Sequence, residues 1–178
     1  RSHTGVALYP SMVAPPLPSL AGRDLLGGTI AECHRAGIGV SVYMSLIFDV
    51  AAYRRESDWR IRLADGRDAA HDNRYGVCCP NSPYRDYAPE IAREICTRYG
   101  VERIRLDLTF WPHVCYCPHC RARYAAEVWG ELPEIVDWNE PRWVAFQRCR
   151  ERWLAEFGAK ATAVVRATKP AVSIEHQA

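Results

Sequence analysis

The sequence predicts an α/β fold of parallel strands, read as part of a TIM (β/α)8 barrel of which residues 1–178 form one domain and cover about half. Three observations lead there. Strand-like and helix-like segments alternate along the chain, the order that builds parallel sheets through crossover connections. The run GIGVSVYMSLIF (residues 37–48) is nearly continuous in apolar and β-branched residues, as a strand covered on both faces requires. Only four strands can be counted, whereas a barrel of eight takes about 250 residues. Truncation at one or both ends is therefore expected, and a doubly wound sheet of four or five strands is the alternative.

The elements follow in order. TGVALY (residues 4–9) reads as a short strand, and the Pro-rich PSMVAPPLPSL as a loop leaving it. Leu25, Leu26, Ile30 and Cys33 recur at helical spacing over residues 24–35, and Gly37 stops that helix. After the apolar strand, residues 53–85 show turn signals and little periodicity, and a loop of that length is usually functional or mobile. Pro89 is placed at the first position of a helix over residues 89–99, with Ile91, Ile95 and Tyr99 on one face. VERIRLDLTF is the next strand. Residues 121–129 look helical. Pro141 opens a long segment with Trp143, Phe146, Cys149, Trp153 and Phe157 at mixed three and four spacings, broken or bent near Gly158, before a last strand, AVSIEH.

A hydrophobic content of 48% with 25% charged residues suits a globular chain with a sizeable core. The 23 basic and 21 acidic residues are well mixed. Without a basic block there is no electrostatic footprint for nucleic acid. No apolar run reaches the length of a membrane span, so a membrane partner is not expected either. Self-association into a homo-oligomer is left open. Cys33, Cys96 and Cys149 occupy helix-like segments where a small hydrophobe would serve. The cysteine pattern as a whole suits a reducing compartment, and a cytoplasmic location is expected.

The sharpest single-residue anomaly is Asp107, set between Leu106 and Leu108 near the carboxyl end of a strand. A carboxylate there is costly unless paired or used. Carboxyl ends of parallel strands form the ligand-binding rim, and Asp49, Asp107 and Glu175-His176 all fall there. As a structural residue Asp107 would accept hydrogen bonds from loop amides or a neighbouring Arg. As a catalytic one it would be one of the two carboxylates of glycoside hydrolysis, with Glu175 as a second. Tyr9, Tyr43, Trp59, Tyr84, Phe110 and Trp111 crowd the same rim and could stack on sugar faces. His3, His71, His113 and His176 are near loops or strand ends.

The segment CYCPHC carries three thiols, Cys115, Cys117 and Cys120, at a spacing that suits tetrahedral Zn²⁺. Cys78 or Cys79 would supply the fourth ligand, and such closed coordination is structural. Unligated thiols and a C-x-x-C redox pair at Cys117 and Cys120 are the alternatives. No Gly-rich phosphate cradle is present, and no organic cofactor is expected.

CCPNSPYRDY (residues 78–87), RIRLDLTFWPHVCYCPHC (103–120) and the RARYAAEVWGELP that follows resemble a family of glycoside hydrolases with a TIM-barrel domain, related to the family 29 α-L-fucosidases. The resemblance implies a (β/α)8 barrel represented here by roughly strands two to five, with Asp107 in the place of the nucleophile at the end of the fourth. The cysteine pattern separately resembles the zinc cluster of family 42 β-galactosidases. That likeness implies Cys78 or Cys79 with Cys115, Cys117 and Cys120 as ligands. The Asn-Glu pair of family 42 and the HHDG-like segment of fucosidases are not evident, so fold transfers better than substrate.

The expected function is hydrolysis of a glycosidic bond, with Asp107 as nucleophile, an acid outside this segment or, second to it, Glu175 as the proton donor, and Tyr43, His71, Trp111 and His176 contacting a carbohydrate ligand. A noncatalytic carbohydrate-binding or scaffold barrel with structural zinc is the alternative. A metal-dependent hydrolase would need His113 or His119 at the metal.

Overall fold

The computed structural model describes residues 4–72 and 74–177; His3 lies outside them. Its centre is a parallel sheet of three strands, β1 (Ser41–Ser45), β4 (Arg103–Asp107) and β5 (Ser173–His176), in the order β1-β4-β5. A separate antiparallel hairpin joins β2 (Ala70–His71) to β3 (Tyr75–Gly76). Five α-helices accompany them: α1 (Leu25–Arg35), α2 (Val50–Arg55), α3 (Tyr84–Arg98), α4 (Pro118–Val128) and α5 (Pro141–Thr168). The described residues form no closed eight-stranded barrel. They form a mixed α/β unit, consistent with part of one.

Strand alternation divides the sheet into two unlike faces. Val42, Met44, Ile104 and Leu106 point into one buried cluster with Ile91 and Ile95 of α3 and Phe157, Ala161 and Val165 of α5. Each such side chain removed from water contributes on the order of 1.5–3 kcal/mol. The opposite face carries Tyr43, Ser45, Arg105, Asp107 and Glu175. In-register pairing of Tyr43 with Arg105, Ser45 with Asp107 and Arg105 with Glu175 places them side by side. This polar face positions the candidate site.

Several expected elements change. Residues 4–9 do not form a strand, because Ala7 exchanges its backbone bonds with the nearby Pro15 and Leu17, at 2.8 Å each. The segment that follows is pinned instead to Glu94, which accepts from the Tyr9 hydroxyl at 2.9 Å, the Met12 amide at 2.7 Å and the Ser11 hydroxyl. Residues 53–85 are not an open loop. They hold the end of α2, the β2–β3 hairpin and the start of α3, and Gly76 is needed where it stands, since an added Cβ would fall 2.4 Å from the Tyr53 ring.

The α3 helix begins at Tyr84, five residues before Pro89, because the turn at Ser82 and Pro83 already offers helical carbonyls to Arg85, Asp86 and Tyr87. Pro89 is thus a buried interior residue rather than the first of its helix. The α5 helix runs unbroken through Gly158, where close passage of His176 and Thr109, not a bend, accounts for the small residue. Trp143, Phe146, Trp153 and Phe157 are all buried along its inner face. No helix among the described residues is long and apolar enough to cross a membrane.

Candidate functional site

Asp107 ends the central strand of the sheet, on the polar face. Its carboxylate accepts the amide of Leu108 at 2.8 Å and is hydrogen-bonded by the Tyr43 hydroxyl from β1. Burial, and next the bond to Asp107, push that hydroxyl above the ordinary phenol range, so Tyr43 stays protonated and donates. Leu108 itself takes a left-handed conformation at φ 57°. An apolar side chain adopts such backbone only where surrounding structure imposes it, at a cost of about 1–3 kcal/mol. The flanking bonds are Leu46 to the Asp107 carbonyl at 3.0 Å and Gln177 to the Leu106 carbonyl at 3.0 Å. Both neighbouring strands therefore hold the turn that aims the carboxylate.

The other rim carboxylates have different duties. Asp49 is fully buried and caps α2 through the Ala52 amide at 2.9 Å. Glu175 shares the polar face with Asp107 but lies one layer deeper, level with Arg105, which it engages at 2.8 Å. Among the described residues, Asp107 is engaged by the hydroxyl and the amide and forms no ion pair with an arginine.

The aromatic surround is partly as expected. Phe48, just past β1, packs edge-on against His71 at 5.2 Å and near Phe110 at 5.3 Å. The hairpin and the loop after β4 thus meet over one ring, and His71 is on that rim. Trp111 donates its indole N–H to the Arg150 carbonyl at 2.9 Å, so its polar edge is engaged with α5. His176 is not on the face of Asp107. Alternation along β5 turns it opposite to Glu175, where it pairs with Thr162 of α5 at 2.7 Å. A sugar held on the face of Asp107 would therefore not meet the His176 ring directly.

The thiols converge. Sulfurs of Cys79, Cys115, Cys117 and Cys120 lie within 4.8 Å of one another, each residue no more than 2% exposed. The separations of Cys79 from Cys120 and Cys117 are 3.5 and 3.6 Å. Four ligands at about 2.3 Å from a tetrahedral ion stand about 3.8 Å apart, close to the two separations above, so the donor set suits a metal. The structure brings Cys79, not Cys78, to this cluster; the Cys78 sulfur is 3.8 Å from the Asp49 carbonyl instead. Adjacent residues of an extended segment face opposite ways, and that parity separates the pair.

Hydrogen bonds from Cys115, Cys120 and Cys79 drive the Cys117 thiol far below its ordinary range, while burial drives Cys79 up. A dication would let all four thiols ionise. Asn81, which sequence reasoning passed over, donates its amide to Cys79 at 3.4 Å and its side chain to Cys120 at 3.3 Å. Arg123 of α4 holds the Asn81 oxygen at 2.9 Å and bonds Glu127 at 2.7 Å. Its signal was the position two residues past a ligand, where loop amides turn toward sulfur. His119 is drawn away to Asp58 at 2.8 Å, and the cluster among the described residues contains sulfur alone. A hydrolytic metal with a His ligand therefore has no support in this geometry.

Comparison with known proteins agrees with this architecture. The family described as hypothetical glycosyl hydrolase 6 matches residues 1–108, more than half of the chain and inclusive of Asp107. The chain belongs to that family. Among solved structures this hypothetical glycosyl hydrolase 6 chain is similar to α-L-fucosidase isoenzyme 2 from Paenibacillus thiaminolyticus, with a TM-score of 0.83 and 26% identity over 100% of its length. It spans only 26% of that fucosidase. A hypothetical protein from Ruminiclostridium thermocellum ATCC 27405 matches with a TM-score of 0.63 at 14% identity, over 99% of this chain and 78% of the other. β-Galactosidase from Bacillus circulans sp. alkalophilus matches with a TM-score of 0.68 at 14% identity, over 95% of this chain and 30% of the other. The last two likenesses concern fold alone. No curated protein matches.

Proposed function

We propose that this chain forms part of a glycoside hydrolase active site in which Asp107 is the nucleophile. The observation that carries the reading is the presentation of Asp107: an ionisable side chain at the carboxyl end of the central parallel strand, oriented by Tyr43 and by the amide of a strained Leu108. In this reading its carboxylate attacks the anomeric carbon of a carbohydrate while an acid protonates the leaving oxygen. The Tyr43 hydroxyl steadies the carboxylate and sheds that bond as charge moves to the sugar. Arg105 and Glu175 form the polar floor beneath it, and His71 and Phe110 meet over Phe48 at the rim. The likeness to the fucosidase makes an α-L-fucoside the first substrate to try.

The metal reading belongs to the same proposal. Cys79, Cys115, Cys117 and Cys120 would hold a structural Zn²⁺, whose contribution is cross-linking rather than chemistry. It joins the loop that precedes α3 to the loop that leaves Asp107.

The test is hydrolysis of a panel of aryl glycosides, headed by aryl α-L-fucoside, by the protein and its Asp107→Asn variant. Loss of turnover on substitution, with partial return when azide is added to Asp107→Gly, is the expected result. Full activity of Asp107→Asn would end the nucleophile assignment. The engagement of Glu175 by Arg105 favours a second reading, a carbohydrate-binding barrel without turnover, which predicts sugar binding that survives Asp107→Asn.

A further inference from the structure

Arg150 is a half-buried cation on α5 whose partners are neutral. Its guanidinium donates to the Gln147 side-chain oxygen and to the His113 carbonyl at 3.2 Å, and its carbon stands 5.3 Å from the centroid of the Trp111 ring. Its Nε is buried without a partner. No carboxylate among the described residues forms an ion pair with it. Arginine has no accessible neutral form, so removing it from water requires opposite charge nearby.

The loop it grips supplies that charge. His113 stands two residues before Cys115, and the bond to its carbonyl ties the guanidinium to the loop that leads into the thiol cluster. Burial pulls Arg150 below the ordinary guanidinium range, and the groups that hold it up are, in order, Cys120, Cys115, Tyr116 and Glu151. A divalent ion held by four thiolates carries two net negative charges. Without compensation that surplus is itself unfavourable in a buried site.

We propose that Arg150 is the counter-cation of the thiol cluster, a positioning residue whose charge, held against Trp111 and the His113 carbonyl, raises the affinity of the four sulfurs for a divalent metal. This rests on the metal reading given above. It also accounts for a guanidinium that salt-bridges nothing among the described residues: its partner is the charged centre as a whole.

The experiment measures zinc affinity by competition with a chromophoric chelator for the 178-residue chain and its R150M, R150K and R150Q variants, together with melting temperature with and without zinc. R150M keeps the apolar stem and removes the charge. A 10- to 100-fold loss of affinity in R150M and R150Q, largely restored in R150K, is expected, as for other residues that support ligands from outside the coordination sphere. The melting temperature should fall more in the zinc-loaded variant than in the metal-free one. Equal zinc affinity in parent and variants, or equal thermal losses with and without metal, would overturn the proposal and leave Arg150 a packing residue. Should R150M not fold, R150K and R150Q carry the same comparison. If the parent chain binds no zinc and its cobalt form shows no thiolate charge-transfer band, the metal reading fails first, which is a different result from a parent that binds and a variant that binds equally.

Discussion

If the four sulfurs hold zinc, its removal should cost the fold several kilocalories, and the amount can be worked from chain connectivity. The cluster joins Cys79 to Cys115, closing a loop of roughly 36 residues that contains α3 and β4. A cross-link of that span removes about 4 kcal/mol of chain entropy from the unfolded state, on the loop-length relation used for disulfides. For a chain of this size 1 kcal/mol moves the melting temperature by about 2–4 °C. Chelation is therefore expected to lower the melting temperature by roughly 8–16 °C, with recovery on adding zinc and no effect of reductant alone. Thermal unfolding followed by circular dichroism, with and without a strong chelator, measures it. A drop below about 2 °C, or a drop caused by reductant without chelator, would refute the reasoning: the first would mean the sulfurs cross-link nothing, the second that they do so as a disulfide.

Tyr43→Phe removes one hydrogen bond to the Asp107 carboxylate, worth about 1.5–3 kcal/mol; turnover of the aryl glycoside should fall about 10- to 100-fold, and an unchanged rate would detach Tyr43 from the chemistry. Glu127 sits at about 2 because, against its burial, bonds from Arg123, Trp153 and Arg152 hold the carboxylate ionised. A depressed carboxylate stabilises fully above its unfolded value near 4.5 and loses that stabilisation as pH falls toward 2. The melting-temperature gap between the parent and Glu127→Gln should therefore be widest at pH 6 and close between pH 4.5 and 2, and a gap independent of pH would contradict it. Gly158→Ala should stabilise by about 0.5–1 kcal/mol, because the added Cβ meets His176 at 3.7 Å, an ordinary contact, inside a helix where glycine is costly; a lower urea midpoint would show the contact to be tighter than that.

What could be read in the chain was whatever depended on period and charge. The alternation of strand-like and helix-like segments pointed to parallel strands, although the near-continuous apolar run of GIGVSVYMSLIF hid the polar face of β1, and Asp107 stood out because an acid between two leucines contradicts burial. The C-x-C-x2-C spacing likewise pointed to a clustered site. What could not be read depended on partners distant in sequence. Cys79 rather than Cys78 is decided by which way the segment leaving β3 faces, and Glu175 is taken up by Arg105 only because β5 pairs in register with β4. The local pattern of AVSIEH allowed either side of the sheet for His176. The early start of α3 escaped notice because Pro89 is a strong helix-opening signal, and the Ser82 turn that overrides it acts through backbone carbonyls.

The position of the thiol cluster also determines where this chain can tolerate a change in length. Asp107 and the first sulfur of the cysteine segment, that of Cys115, are separated only by residues 108–114, whose start is fixed by the sheet and whose end is fixed by sulfur. An insertion there has no slack to absorb it, so it would shift either the carboxylate or the staple. The connection over residues 129–140, downstream of both anchors, carries exposed Trp129, Ile135, Val136 and Trp138. Lengthening or shortening it leaves the distance from carboxylate to cluster unchanged. Natural variation and engineered grafts should accumulate in that second stretch and be absent from the first.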